Sequence, residues 1–125
     1  MPRFSKRSLN KLSTCHEDIQ KVLKEAIKYF DFSVLCGHRD KQTQDEAYYQ
    51  GFSKLKFPYS KHNKKPSLAV DVAPYPIDWQ DTLRFSFIAG VILTISNQMG
   101  VKLEWGGHWK RFKDYPHFQL KNIKK

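Results

Sequence analysis

Cysteine is scarce in this 125-residue chain, which has only Cys15 and Cys36. Their spacing fits neither a zinc knuckle nor a redox pair, and two thiols make no disulfide framework. Folding in a reducing compartment is expected, with Cys36, inside an apolar run, as a buried free thiol. Long apolar runs are also missing. The stretch Phe85 to Ile95 is broken by Ser86, Gly90 and Thr94 and is too short to span a bilayer. The basic start, Met-Pro-Arg-Phe-Ser-Lys-Arg-Ser, is followed by no apolar stretch, so no secretory signal is read there. A soluble protein made in the cytoplasm is expected, and action beyond the membrane would need release by something else. Acidic residues are few as well: 12 Asp and Glu stand against 22 Lys and Arg, a formal charge of +10. Such a body attracts polyanions, whether nucleic acid, anionic wall polymers or acidic lipid surfaces. Charge does not choose among them.

What is present suits one domain over residues 1–125. Hydrophobic residues make up 40% and aromatics 14%, enough for a core without staples, since a chain this long buries roughly two thirds of its unfolded surface. Residues 1–12 read as an irregular basic arm and 121–125 as a Lys-rich tail. Thr14 and Glu17 form a capping-box pattern. Ile19, Val22, Leu23, Ala26, Ile27 and Phe30 then repeat at helical spacing, so a helix is expected near 15–30. Phe32 to Cys36 reads as a buried strand stopped by Gly37. Thr43 and Glu46 open a short helix toward Gly51, with Tyr48 and Tyr49 as packing residues. Residues 53–67 read as loop. Leu68 to Ala73 reads as a strand closed by Pro74 and Pro76. Asp78 caps a helix over 79–98, with Leu83, Phe87, Ile88, Val91, Ile92 and Ile95 as its apolar residues and Gly100 at its exit. Val101 to Trp105 and His117 to Leu120 read as strands, the first broken by Gly106-Gly107. Helices and strands mix without regular βαβ alternation, which favours an α+β fold: a small antiparallel sheet with flanking helices.

Five histidines occur, at 16, 38, 62, 108 and 117, and two stand near carboxylates. Ser60-Lys-His62 precedes Ala69-Val-Asp71, and Trp105-Gly-Gly-His-Trp precedes Asp114-Tyr-Pro-His117-Phe. A catalytic zinc takes three ligands from His and Asp or Glu and keeps one position open. It also needs a free carboxylate nearby to carry a proton. His62, Asp71 and His117 can supply the ligands, and Asp114, across a Tyr-Pro turn from His117, the carboxylate. Alternation sets Asp71 on the face of Ala69 and Ala73, opposite Leu68, Val70 and Val72. A charge on a largely buried strand needs a partner, and a metal or a basic side chain would serve. Trp79, Trp105 and Trp109 read as core or rim packing ahead of stacking on sugar. His16 and His38 read as exposed or structural.

These segments, with Gly37-His-Arg39…Gln42 before them, resemble the signature of the D-alanyl-D-alanine carboxypeptidase / L-alanyl-D-glutamate endopeptidase family, closest to its phage endolysin branch. The motifs span residues 37–118. The resemblance implies a zinc peptidase of peptidoglycan with its site in a cleft over the sheet, one zinc ion on His62, Asp71 and His117, and Asp114 as acid/base. It implies that Arg39 steadies a substrate carboxylate or the oxyanion, and that Ser60 orients a ligand or meets substrate. It also implies cleavage of the stem peptide between L-alanine and D-glutamate, and lysis of the host cell after release through a membrane lesion. Two departures stand out. The loop from His62 to Asp71 is longer than the commoner family spacing, which includes a Gly; here it carries Pro66-Ser67. His108 follows Gly-Gly where the phage branch often has Asp; it is a substrate contact, a ligand's partner or a surface residue.

A D-alanyl-D-alanine carboxypeptidase and a catalytically silent zinc-binding domain are the alternatives. A nucleic-acid module has only charge and interleaved aromatics, as in Lys110-Arg-Phe-Lys, behind it. It lacks a recognition motif, so no specific nucleic-acid partner is expected. The expected partners are the stem peptide and the anionic envelope, and the expected state is a monomer.

Overall fold

A computed structural model describes residues 2–121. Four α-helices are present among these residues: α1 (Lys6–Leu12), α2 (Glu17–Ala26), α3 (Lys41–Tyr49) and α4 (Thr82–Gln98). Four strands, β1 (Phe32–Cys36), β2 (Ala69–Pro74), β3 (Leu103–Trp105) and β4 (His117–Leu120), form one sheet in the order β1-β2-β4-β3. Every neighbouring pair is antiparallel. The fold is therefore α+β, as the element pattern implied. No described helix is long and apolar enough to cross a membrane.

Alternation divides the sheet into two faces. Val70 and Val72 of β2 and Phe118 and Leu120 of β4 enter the core with Ile19, Val22 and Leu23 of α2 and Ile88 and Ile92 of α4. Burying one such side chain contributes roughly 1.5–3 kcal/mol. The opposite face carries Asp71, His117 and Gln119. Register then places the chemistry: Asp71 lies directly across from His117 on β4 and pairs with Cys36 on β1, just past a bulge. One rung of the sheet thus runs Cys36, Asp71, His117.

The structure corrects several sequence expectations. The arm at 1–12 contains a helix, α1, capped by the Ser5 side chain on the Ser8 N–H. Only Ser8 and Leu12 of α1 are buried, too few to give a visible period. The cap of α2 is His16, whose Nδ1 accepts from the Asp18 N–H. Thr14 instead donates its hydroxyl to the Lys11 carbonyl. Asp40, not the Thr43 pattern, caps α3. Asp81, three residues after Asp78, caps α4 through the Arg84 N–H. Within the loop at 53–67, Lys61–Asn63 form a 3₁₀ turn. Tyr49, expected to pack, is 73% exposed, and Leu83 and Phe87, counted among the apolar residues of α4, are 81% and 59% exposed, Phe87 resting on Phe30. Tyr48 and Tyr49 instead pack edge-on to each other, with Lys56 over both rings. Cys15 and Cys36 are both free, but Cys36 is only partly buried. Trp105 is core, whereas Trp79 is 56% exposed and stacks on Phe85.

Candidate metal centre in a cleft over the sheet

His62 comes to the sheet from the 3₁₀ turn. Ser60 caps that turn, accepting from the His62 N–H, and Asn63 closes a capping box on the Ser60 N–H. The His62 ring is buried, and its Nδ1 lies 2.7 Å from the Gly37 carbonyl oxygen. A carbonyl only accepts, so Nδ1 is the donor. Gly37 fits this place because a Cβ there would strike Thr14 and the Lys11 carbonyl. The other nitrogen, Nε2, forms no hydrogen bond among the described residues although it is buried. It lies 3.4 Å from Asp71 Oδ1, and His117 Nδ1 approaches the same oxygen to 3.2 Å.

One carboxylate oxygen therefore meets two ring nitrogens on a water-poor face. Burial would raise the Asp71 carboxyl, but His62 and His117 outweigh it and hold it well below the usual carboxylate range. Arg39 adds to this, donating from Nη2 to Asp71 Oδ2 at 3.0 Å. Of the two partners foreseen for Asp71, the basic side chain is present on Oδ2, while Oδ1 faces the two rings. Potential ligand atoms fall into two overlapping groups, Cys36/His62/Asp71 and Asp71/Asp114/His117, with Asp71 in both. Donors about 2.0–2.1 Å from a tetrahedral ion stand about 3.3 Å apart, which is the spacing seen from Asp71 Oδ1 to each ring. Two histidines and an aspartate are donors of the kind zinc takes, with His62 and His117 falling in different groups around the shared Asp71.

Asp114 stands beside this group, its Oδ2 3.9 Å from His117 Nδ1. Its backbone is pinned on both sides: its N–H donates to the Gly106 carbonyl, and its carbonyl accepts from the His117 N–H. Gly106 permits this approach, because a Cβ there would collide with the Asp114 carbonyl. Burial, and then the charge of Asp71, push the Asp114 carboxyl upward against the pull of His117, His62 and Arg39. A carboxyl so tuned exchanges protons closer to neutrality. Arg39, His62, Asp114 and His117 line a cleft of about 320 Å³, with Phe52, Leu55, Trp109 and Phe112 as its apolar walls. That volume falls within the range of small-ligand sites.

Residues 1–123 match the family profile described as phage L-alanyl-D-glutamate peptidase. The chain belongs to this family. It is similar to the L-alanyl-D-glutamate peptidase of Escherichia phage T5, at 32% identity over 95% of the chain and 89% of that protein. It is equally similar, at 32%, to the peptidoglycan L-alanyl-D-glutamate endopeptidase CwlK of Bacillus subtilis, over 76% of the chain but 64% of that protein. The solved structure of the L-Ala D-Glu endopeptidase ChiX of Serratia marcescens superposes with a TM-score of 0.83 at 32% identity, covering 96% of this chain and 91% of that one.

Within this family member, five of the seven singled-out site residues converge: Arg39, His62, Asp71, Asp114 and His117. Ser60 is buried beneath His62 as its cap. His108 is exposed and packs edge-on against Trp105, apart from the residues lining the cleft. Sequence reasoning missed Gln44 and marked Gln42 instead. Gln42 is exposed and bonds Glu46 on its own helix. Gln44 is fully buried, accepts from Arg39 Nη1 and Asn63 Nδ2, and donates to Ser53 Oγ and the Leu55 carbonyl. It joins Arg39, the His62 turn and the cleft wall. In a helix as polar as KQTQDEAYY, no periodicity distinguishes it.

Proposed function

We propose that this chain is a zinc peptidase that hydrolyses the L-alanyl-D-glutamate bond of peptidoglycan stem peptides. The observation that carries the reading is the meeting of His62 and His117 on Asp71 Oδ1, with Asp114 alongside, in a cleft of suitable size. The activity for which the relatives in phage T5, Bacillus subtilis and Serratia marcescens are named supplies the bond.

His62 through Nε2, Asp71 through Oδ1 and His117 through Nδ1 would hold the ion. When bound, zinc supplies Lewis acidity, lowering the pKa of a water and polarising the scissile carbonyl. Asp114 takes the proton of the attacking water and delivers it to the departing amine. Its raised proton affinity suits both halves of that exchange. Arg39 fixes Asp71 through Oδ2 and brings a positive charge to the cleft wall, where it favours a substrate carboxylate or the developing oxyanion. Phe52, Leu55, Trp109 and Phe112 give the cleft apolar walls, which lower the local dielectric and strengthen each of these interactions. The basic surface favours approach to an anionic envelope, and the reading takes the chain as a monomer released to the wall at lysis.

The test is mass spectrometry of purified peptidoglycan after incubation, with and without a chelator. Chelator-sensitive release of fragments with a new D-glutamate N-terminus is expected. Loss of a terminal D-alanine alone would move the activity to a carboxypeptidase. Zinc bound with no product would leave a silent binding domain.

A further inference from the structure

Behind His117 lies a row of polar side chains that the proposed chemistry does not use. Ring Nε2 of His117 is 2.8 Å from Gln119 Oε1. Gln119 Nε2 donates to Glu104 Oε1 at 3.1 Å, and Trp109 Nε1 donates to Glu104 Oε2, also at 3.1 Å. The sheet builds this row: Gln119 sits two residues from His117 on one face of β4, and Glu104 of β3 is its register partner.

The row has only one possible direction. An indole N–H donates and never accepts, and an ionised carboxylate accepts and never donates. Burial would raise the Glu104 carboxyl, but its bonds to Trp109 and Gln119, with Lys61 and Lys121 nearby, outweigh it and keep Glu104 ionised at neutral pH. The Gln119 amide must therefore turn its NH₂ toward Glu104 and its oxygen toward His117. That oxygen accepts only, so Nε2 of His117 must carry a proton, and Nδ1 is the nitrogen turned to the site, where without a metal it meets Asp71 Oδ1 at 3.2 Å. His62 reaches the same end with the opposite nitrogen, through the Gly37 carbonyl.

We propose that Gln119 and Glu104 are positioning residues that, with Trp109 as the terminal donor, hold His117 with Nε2 protonated and Nδ1 turned to the metal centre. The proposal rests on the reading of His117 as a ligand. Trp109 also packs on the His117 ring, with centroids 5.1 Å apart, and lines the cleft. The row therefore joins the substrate wall to the ligand.

The experiment compares the wild-type protein, Gln119→Leu, and the exchanged pair Glu104→Gln/Gln119→Glu. The exchange keeps the direction: the new carboxylate accepts from the ring and from the new amide, whose oxygen takes the indole proton. Two quantities are read, zinc affinity by competition with a chromophoric chelator, and exchange protection of the His117 Nε2 proton by ¹⁵N-resolved NMR. Near-UV circular dichroism checks packing. Gln119→Leu is expected to lose the protected proton and bind zinc about 10–100-fold more weakly, and the exchanged pair to recover both. Unchanged affinity and protection in Gln119→Leu would overturn the proposal. So would a well-packed exchanged pair no better than the single variant. If wild-type protein bound no zinc, the zinc-peptidase reading would fall, while protection in the metal-free protein would still decide for or against the row.

Discussion

Asp114 and His62 show how much of the proposed chemistry depends on single residues. Asp114→Asn keeps the shape but removes the proton carrier. It should lower kcat by about 10²–10⁴-fold while zinc content, measured by atomic absorption, stays at the wild-type level. Retained turnover would remove Asp114 from its role. His62 gives a pH prediction. In the metal-free protein burial pulls its pKa down, but Asp71 outweighs burial and pushes it from 6.5 up to about 10. A histidine raised in the fold stabilises fully below its unfolded pKa, and the contribution fades as pH rises through the folded value. Chelated protein should therefore melt at progressively lower temperature between about pH 6.5 and 10 from this pair. Zinc must displace that proton, so zinc affinity should rise over the same window, with proton release visible by calorimetry in buffers of different ionisation heat. Cys15 is simpler: burial pushes its thiol up to about 12, so iodoacetamide should label it only after unfolding. Legibility at this scale followed chemistry and alternation. Asp71 was readable because a charge interrupts Leu68 to Ala73. Gln44 was not, because its importance lies in packing that brings Arg39, Asn63 and Leu55 around it from distant parts of the chain.

Elements were legible in kind and less so at their ends. The strand at His117–Leu120 and the exit of α4 were readable because apolar runs stop at clear breakers. Helix starts were not, because Thr14 competes with His16, and Asp78 with Asp81, and only the folded loop selects the cap. Asp81→Ala should therefore lower stability by about 1 kcal/mol, seen in urea unfolding, whereas Asp78→Ala should cost less. The Gly106-Gly107 pair was read as a breaker. In the fold, Gly106 also sets how near the Asp114 segment can come. Gly106→Ala should push that segment outward, costing roughly 1–3 kcal/mol and lowering kcat beyond what the lost stability explains. A thermal melt paired with a rate measurement well below the melting temperature separates the two effects.

For the whole molecule, charge is the property most plainly written in the sequence. With a net +10, digestion of intact anionic walls should fall as salt rises, because the Debye length shrinks from about 30 Å at 0.01 M to about 8 Å at 0.15 M. Cleavage of a short soluble stem peptide should change much less, and equal salt dependence for both would remove the role of the basic surface. The α+β class was readable from the mixture of elements. The strand order β1-β2-β4-β3 was not, because local pattern does not say which strand enters between two others. That order has a consequence for synthesis. β4 leaves the ribosome after β2 and β3, yet it is inserted between them, and it brings His117 against Asp71. Until it docks, β2 and β3 share no ladder and the rung of Cys36, Asp71 and His117 is incomplete. On the zinc-peptidase reading, a nascent chain stalled anywhere before residue 117 should therefore be inert, however complete the rest of its sheet.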